Sequence, residues 1–317
     1  MNYLLNIIFA LILIAGIGYF ARNIKKLIRN IKLGREVDAS DNKSQRWKNM
    51  ARIALGQSKM VVRPIAGFLH IIVYVGFIII NIEVLEIIID GLFGTHRIGL
   101  KVLPESVYGF SIGSFEILAV LVLIAVVVFW LRRNIINIKR FKSLKGWPKN
   151  DGNIILYFEV VLMCLFLVMN ATDTSFQNMG AGNVISQFIS PWFGDNPDTL
   201  HLIERSAWWL HIVGILVFLN YLYFSKHLHI LLAFPNTYYG KLTPKGQFNN
   251  LEAVTDEVKL MMDPNADPFA APAEDDNAEE PAKFGASDVM DLNRIQLLNA
   301  YTCTECGRCT SECPANQ

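Results

Sequence analysis

Charge is scarce in this chain. Of its 317 residues only 18% are Asp, Glu, Lys or Arg, against 52% hydrophobic, and the formal net charge is +1. That apolar balance excludes an ordinary soluble domain, whereas the net charge averages segments of opposite sign and says little. Cysteine is almost missing as well. Four of the five cysteines lie between positions 303 and 313, and the fifth, Cys164, sits in an apolar run. A disulfide framework is therefore excluded, and the clustering points to metal binding. The sequence also lacks a P-loop, a G-x-G-x-x-G turn and a G-x-S-x-G elbow. Nucleotide and acyl-hydrolase chemistry have no support within it. The first apolar run has no basic segment before it and no small-residue cleavage site, so it reads as an uncleaved anchor.

What is present is apolar residues in blocks. Five stretches approach or exceed the roughly 20 helical residues that cross a bilayer. The sequence predicts them at Tyr3–Ala21, Ile65–Ile89, Ser111–Leu131, Asn153–Asn170 and Ser206–Phe224, the last extending as a helix to Leu232 and closed by Pro235. Lys and Arg alternate with the spans. Twelve lie between spans one and two, two (Arg97 and Lys101) between two and three, seven between three and four, and only Arg205 before span five. The positive-inside rule then predicts an N-terminus outside and a C-terminus in the cytoplasm. The basic loops read as topology determinants rather than as a nucleic-acid site.

After span five the chain becomes polar. Residues 263–287 are rich in Pro, Ala, Asp and Glu and read as a flexible acidic linker. Ser287 or Asp288 is expected to cap a short helix through Ala300 that delivers the chain to Cys303. The predicted fold class is an all-α membrane protein. It comprises a five-helix transmembrane bundle (1–235), a polar and acidic linker (236–287) and the start of a cytoplasmic ferredoxin-like module (288–317).

The module carries the sharpest motif. Cys303, Cys306, Cys309 and Cys313, followed by Pro314, follow the spacing C-x2-C-x2-C-x3-C-P. In bacterial ferredoxins this spacing wraps three thiolates around one 4Fe-4S cubane and sends the fourth to a second cluster. Zinc sites more often use C-x2-C pairs separated by a longer loop. A second such motif does not follow before Gln317, so the reading expects a chain cut inside its own electron-transfer domain. Cys164, deep in span four, is expected to be a small buried hydrophobe.

Six histidines complete the inventory. His70 lies early in span two, His211 early in span five, and His227 and His229 at the cytoplasmic end of span five. Ionisable groups at membrane depth are costly and suggest function. His211 and His229 are 18 residues apart, five turns of a straight helix, so one face would carry both about 27 Å apart. His70 and His229 share the cytoplasmic side and are expected to clamp one haem b. His211 would serve a second haem or hydrogen-bond within the bundle. His227 reads as an interfacial residue and as the alternative ligand. Glu83 and Glu86, in the outer half of span two, are expected either to relay protons or to pair with polar neighbours.

Five spans with this histidine placement resemble the gamma subunit of respiratory nitrate reductase and the cytochrome b subunit of membrane-bound heterodisulfide reductase. The resemblance is carried by Arg63-Pro-Ile-Ala-Gly-Phe-Leu-His70, Trp208-Trp-Leu-His211, Ser225-Lys-His-Leu-His229 and Pro235-Asn236. It implies haem b ligation by His70, His211 and His229, 4Fe-4S ligation by the four cysteines, and an oxidoreductase subunit in the cell inner membrane. It also implies electron passage between a cytoplasmic iron–sulfur protein or electron-transferring flavoprotein and a quinone, menaquinone in some members. Span two carries one histidine where the two-haem nitrate reductase subunit has two. The alternative is a haem-free membrane anchor that docks a soluble iron–sulfur partner.

Overall fold

The computed structural model describes residues 3–136, 138, 141, 146–244, 246–247, 250–264, 285–307, 309 and 313–316. Their helices are α1 (Tyr3–Ile31), α2 (Lys43–Met50), α3 (Pro64–Phe93), α4 (Gly99–Val102), α5 (Glu105–Asn134), α6 (Trp147–Thr172), α7 (Thr174–Met179), α8 (Ser186–Ile189), α9 (Pro197–Tyr221), α10 (His229–Tyr238), α11 (Glu252–Met262) and α12 (Arg294–Thr302). Among the described residues there is no strand, only one isolated bridge between Arg35 and Asn293. Five segments are long and apolar enough to cross a membrane: α1, α3, α5, Lys149–Thr172 of α6, and Pro197–Phe224. The described chain is that of an all-α membrane protein.

Local chemistry sets the helix ends. α3 and α9 each begin with proline in the first turn, where a missing N–H leaves nothing unsatisfied. Asn196 caps α9, its side chain accepting from the amides of Asp198 at 3.0 Å and Thr199 at 3.1 Å. Gly94, at φ 68°, ends α3 and donates its N–H to the Asp90 carbonyl at 2.8 Å.

The five long helices close into a ring: α1 packs on α3, α3 on α5, α5 on α6, α6 on α9, and α9 back on α1. Lipid supplies no hydrophobic drive between helices, so close fit must hold them. Gly76 of α3 permits that fit, because a Cβ there would stand 2.5 Å from Val122 Cγ2 of α5. Gly91 does the same for the Phe9 ring, also at 2.5 Å. Ile112, Val126, Phe166 and Ile212 fill the interior, while Leu11, Ile14, Ile82, Phe110 and Ile124 face outward.

The helices overrun the predicted spans. α1 continues through the basic run to Ile31, and the fifth begins at Pro197 instead of Ser206. Apolar counting stops at the headgroups, whereas backbone hydrogen bonding continues as long as side chains reach water. The largest correction is at the end of span five. The α-helix stops at Tyr221, followed by 3-10 turns at Leu222–Phe224 and Lys226–Leu228, with Ser225 extended between them (φ −114°, ψ 151°). His229 then opens a separate helix, and Pro235 lies inside that helix instead of closing it. The expected 235/236 boundary thus falls within α10, and the stretch read as linker contains α11. Residues 265–284 of the acidic stretch lie outside the described residues.

The C-terminal segment is seated on the bundle. Asp288 caps a 3-10 turn at Val289–Asp291, and Asn293 with Gln296 forms a capping box that starts α12. α12 packs against α1 and α10. Leu298 joins Leu27, Leu228 and Leu232 in a small buried cluster. The amide of Arg35 donates to the Leu292 carbonyl at 3.0 Å, and that of Arg294 donates to the Arg35 carbonyl at 3.1 Å. This end of the bundle is called proximal below and the opposite end distal.

Candidate functional site

The break at Ser225 brings His229 to His70. Their ring centres are 6.4 Å apart and their planes tilted by 43°. An iron bound by one nitrogen of each ring, with bonds of about 2.0 Å and about 1.1 Å from nitrogen to ring centre, would set collinear ring centres about 6.2 Å apart. The separation of the two ring centres is thus close to that of two imidazoles on one iron. His229 Nδ1 lies 3.1 Å from the Lys226 carbonyl. A carbonyl only accepts, so Nδ1 is the donor and Nε2 the nitrogen left for a metal.

His227, expected at the interface, stands in the same group. Its ring centre is 5.6 Å from that of His229 and 5.3 Å from that of Phe218. Burial first, then the neighbouring His229, pushes its pKa down to about 3, and burial lowers that of His229. His227 and His229 are thus neutral imidazoles, the form in which histidine binds metal. His211 is elsewhere, buried on α9 with its ring 6.3 Å from that of Phe166. With the helix broken at Ser225, the straight-helix phase linking it to His229 does not hold. Its Nδ1 is buried without a hydrogen-bond partner among the described residues.

The cysteine loop lies at the same end of the bundle as this histidine cluster, tied to it through Lys226 and Glu305. Cys303 ends α12. Glu305 and Gly307 adopt left-handed backbone at φ 49° and φ 70°, which turns the chain tightly around Cys306. The Glu305 amide donates to Cys303 Sγ at 3.4 Å, the kind of bond that tunes cluster sulfurs. Cys303, Cys309 and Cys313 are exposed and Cys306 half-buried. Glu305 pairs with Lys226 at 2.6 Å. One ion pair therefore joins the residue before Cys306 to the residue before His227. The donor set, three thiols in C-x2-C-x2-C spacing and a fourth before Pro314, is that of a ferredoxin module. Cys164, read as a buried hydrophobe, is exposed on the bundle, on a helix whose outward face meets lipid.

The distal end holds a polar network that charge counting missed. Arg97, read as a loop charge, is buried. It donates to Asp173 at 2.6 Å, Asn170 at 2.9 Å and the Tyr108 hydroxyl at 3.2 Å, and lies 4.3 Å from the Phe176 ring centre. Burial pushes the Asp173 carboxyl up, but the His96 hydrogen bond and the Arg97 charge outweigh it and hold the group well below the usual carboxylate range. Glu86 accepts from the Gly99 amide at 2.8 Å and from the Tyr108 hydroxyl at 3.0 Å, the paired state expected as one of its two roles. Asp173 and Asn170 lie 76 and 73 positions from Arg97 along the chain, so no local pattern announces them.

No family model matches the chain, and no solved structure does. It is similar to the probable iron-sulfur-binding oxidoreductase FadF of Bacillus subtilis strain 168, being 26% identical over 312 residues that cover 98% of this chain and 40% of that protein. It is also similar to the EtfAB:quinone oxidoreductase of Syntrophomonas wolfei subsp. wolfei, at 24% over 293 residues that cover 88% of this chain and 36% of that protein. The chain spans about two fifths of the length of these curated relatives. These likenesses support kinship with iron–sulfur oxidoreductases.

Proposed function

We propose that this chain is the membrane electron-transfer part of a quinone-linked iron–sulfur oxidoreductase, built like the nitrate reductase gamma and heterodisulfide reductase cytochromes. In this reading residues 1–235 form the cytochrome b-like bundle, 236–287 connect it, and 288–317 begin a ferredoxin-type domain. The N-terminus lies outside and the cysteine arm in the cytoplasm of the cell inner membrane. The observation that carries the reading is the Lys226–Glu305 ion pair, which ties the cysteine loop to the segment that carries His227 and His229.

A 4Fe-4S cluster on the cysteines and a haem b between the two imidazoles would supply one-electron transfer between a cytoplasmic donor and the membrane. Cys303, Cys306 and Cys309 hold the first cluster, and Cys313 serves a second. His229 is fixed in one tautomer by the Lys226 carbonyl, and the buried His227 excludes water beside it. His211 is the candidate ligand or hydrogen-bonding group for a second haem. One relative's name joins electron-transferring flavoprotein to quinone, and we assign the same partner classes here, with menaquinone as the quinone.

The test is a reduced-minus-oxidised spectrum of the purified full chain from haem-replete cells. A b-type α band is expected, lost in His70→Ala and in His229→Ala. Absence of haem from the parent protein would sink the reading and leave the haem-free anchor. Loss of the iron–sulfur resonance signal in Cys306→Ser, with the α band retained, would assign the cluster separately.

A further inference from the structure

Glu83 of α3 is 4% exposed, and its Oε2 is buried without a hydrogen-bond partner among the described residues. The other acids around it are occupied. Glu86 is held by the Gly99 amide and Tyr108, and Glu116 by Asn170 and the amides of Ile185 and Ser186. Asp90 accepts from Thr95 and the Ile98 amide. Asp173 is held by Arg97 and His96, and Glu204 by Arg205. A buried carboxyl oxygen is not left without a partner unless a proton, a water or an ion occupies it at some stage.

Glu83 lines a distal cavity of about 20 Å³ together with His96, Arg97, Asp173, Glu204 and Arg205. That volume holds one water, which needs about 10–15 Å³, and it is far too small for a quinone ring. His96, Asp173 and Glu204 do bring ligand atoms within 4.8 Å of one another. Two guanidiniums, Arg97 and Arg205, already occupy those carboxylates, and their charge opposes a metal ion there. A single water is the occupant that fits. It would bridge Glu83 to His96, whose side chain is 46% exposed and opens on the distal surface.

We infer that Glu83 is a proton-exchanging acid of the distal half, joined to bulk solvent through one water in this cavity and through His96. Its use by a quinone rests on the function proposed above. Reduction of a quinone to the quinol takes two protons and two electrons, the electrons supplied one at a time by the haem of the function proposed above. Glu83 would release each proton toward a reduced quinone oxygen outside this cavity, and its carboxylate would take a replacement from the water, hence from solvent by way of His96. Quinol oxidation runs the same transfers in reverse.

Infrared spectroscopy of the purified full chain tests the acid without requiring turnover. A protonated-carboxyl stretch that shifts on transfer to heavy water is expected, absent in Glu83→Gln and moved in Glu83→Asp. His96→Ala should keep the band and slow its exchange at least fivefold. A band unchanged in Glu83→Gln, or exchange indifferent to His96, would overturn the inference. With a soluble naphthoquinone as acceptor, Glu83→Gln should lower haem oxidation at least tenfold at an unchanged α band, and an unaltered rate would remove Glu83 from the quinone step. If the parent protein binds no haem, the functional reading fails while the infrared result still decides the role of Glu83. Should Glu83→Gln not fold, Glu83→Asp and His96→Ala carry the test.

Discussion

Replacing Gly34 by alanine should pry the cysteine arm from the bundle without touching a cysteine or a histidine. A Cβ at Gly34 would stand 2.8 Å from the Arg294 amide nitrogen, 2.8 Å from the Asn293 carbonyl carbon and 2.9 Å from Leu297 Cδ1. Two of these are backbone atoms of the arm and cannot rotate away. The arm must shift, and the two backbone bonds of the Arg35–Asn293 bridge are then lost. At about 0.5–1.5 kcal/mol net for each bond, the docked state loses about 1–3 kcal/mol, a factor of about 5 to 150 in the docking equilibrium. Amide hydrogen exchange at Arg35 and Arg294 reads that factor directly. Gly18→Ala, on α1, is the control, because nothing lies within 4 Å of a Cβ there. Exchange in Gly34→Ala within twofold of the parent, or equal acceleration in Gly18→Ala, would refute the docked arrangement. If the arm relays electrons as proposed, cluster-to-haem transfer should slow in step with undocking while the haem spectrum stays constant.

Arg97→Ala removes the cation that Asp173, Asn170 and Tyr108 share. It should cost about 3–5 kcal/mol, because it leaves a buried carboxylate uncompensated. The thermal midpoint in detergent should fall, while the spectrum of a haem at the proximal end stays unchanged; a loss under about 1 kcal/mol would contradict the network. Asp173 is held below its ordinary pKa of 3.8 in the folded protein, so the loosened state binds the proton more readily. Its contribution is fully present above about pH 4 and is lost as pH falls through the lower folded value. Protection of the loop after α6 should therefore persist to about pH 4 and fade below it, and a flat profile would remove this ion pair from the account. Glu305→Gln, which breaks a pair whose lysine side chain is only 13% exposed, should mobilise the Cys303–Cys306 turn and broaden the cluster's resonance signal without removing it.

The bundle was legible in the sequence because apolar blocks of membrane length leave few alternatives. Helix ends were not. Apolar counting stopped span one at Ala21, yet Arg22 to Arg29 continue as helix. The polar stretch Pro197–Arg205 was read as loop, yet Asn196 caps it and starts a helix there. The pairing of His70 with His229 followed from topology alone, since alternating spans place both at the same end. Their relation to His211 was misread because periodicity assumes an unbroken helix, and nothing in Ser225-Lys226-His227 marks a stop as a proline would. The proximity of His227 follows from the same break. The Arg97 network was invisible for a different reason. A basic residue in a short loop counts toward topology, and only the folded chain shows that a carboxylate 76 residues away draws it inward.

The seat of the cysteine arm also orders the assembly of the protein in time. Its contacts with the first helix join positions as far apart as Asn30 and Tyr301, 271 residues in sequence. Closing so long a loop brings little local reward until the intervening spans are packed. During synthesis α1 is in place long before α12 exists, and the platform for α12 includes α10, which forms only after the fifth span. The arm can settle only on a finished bundle. Its docking therefore marks completed assembly of the bundle.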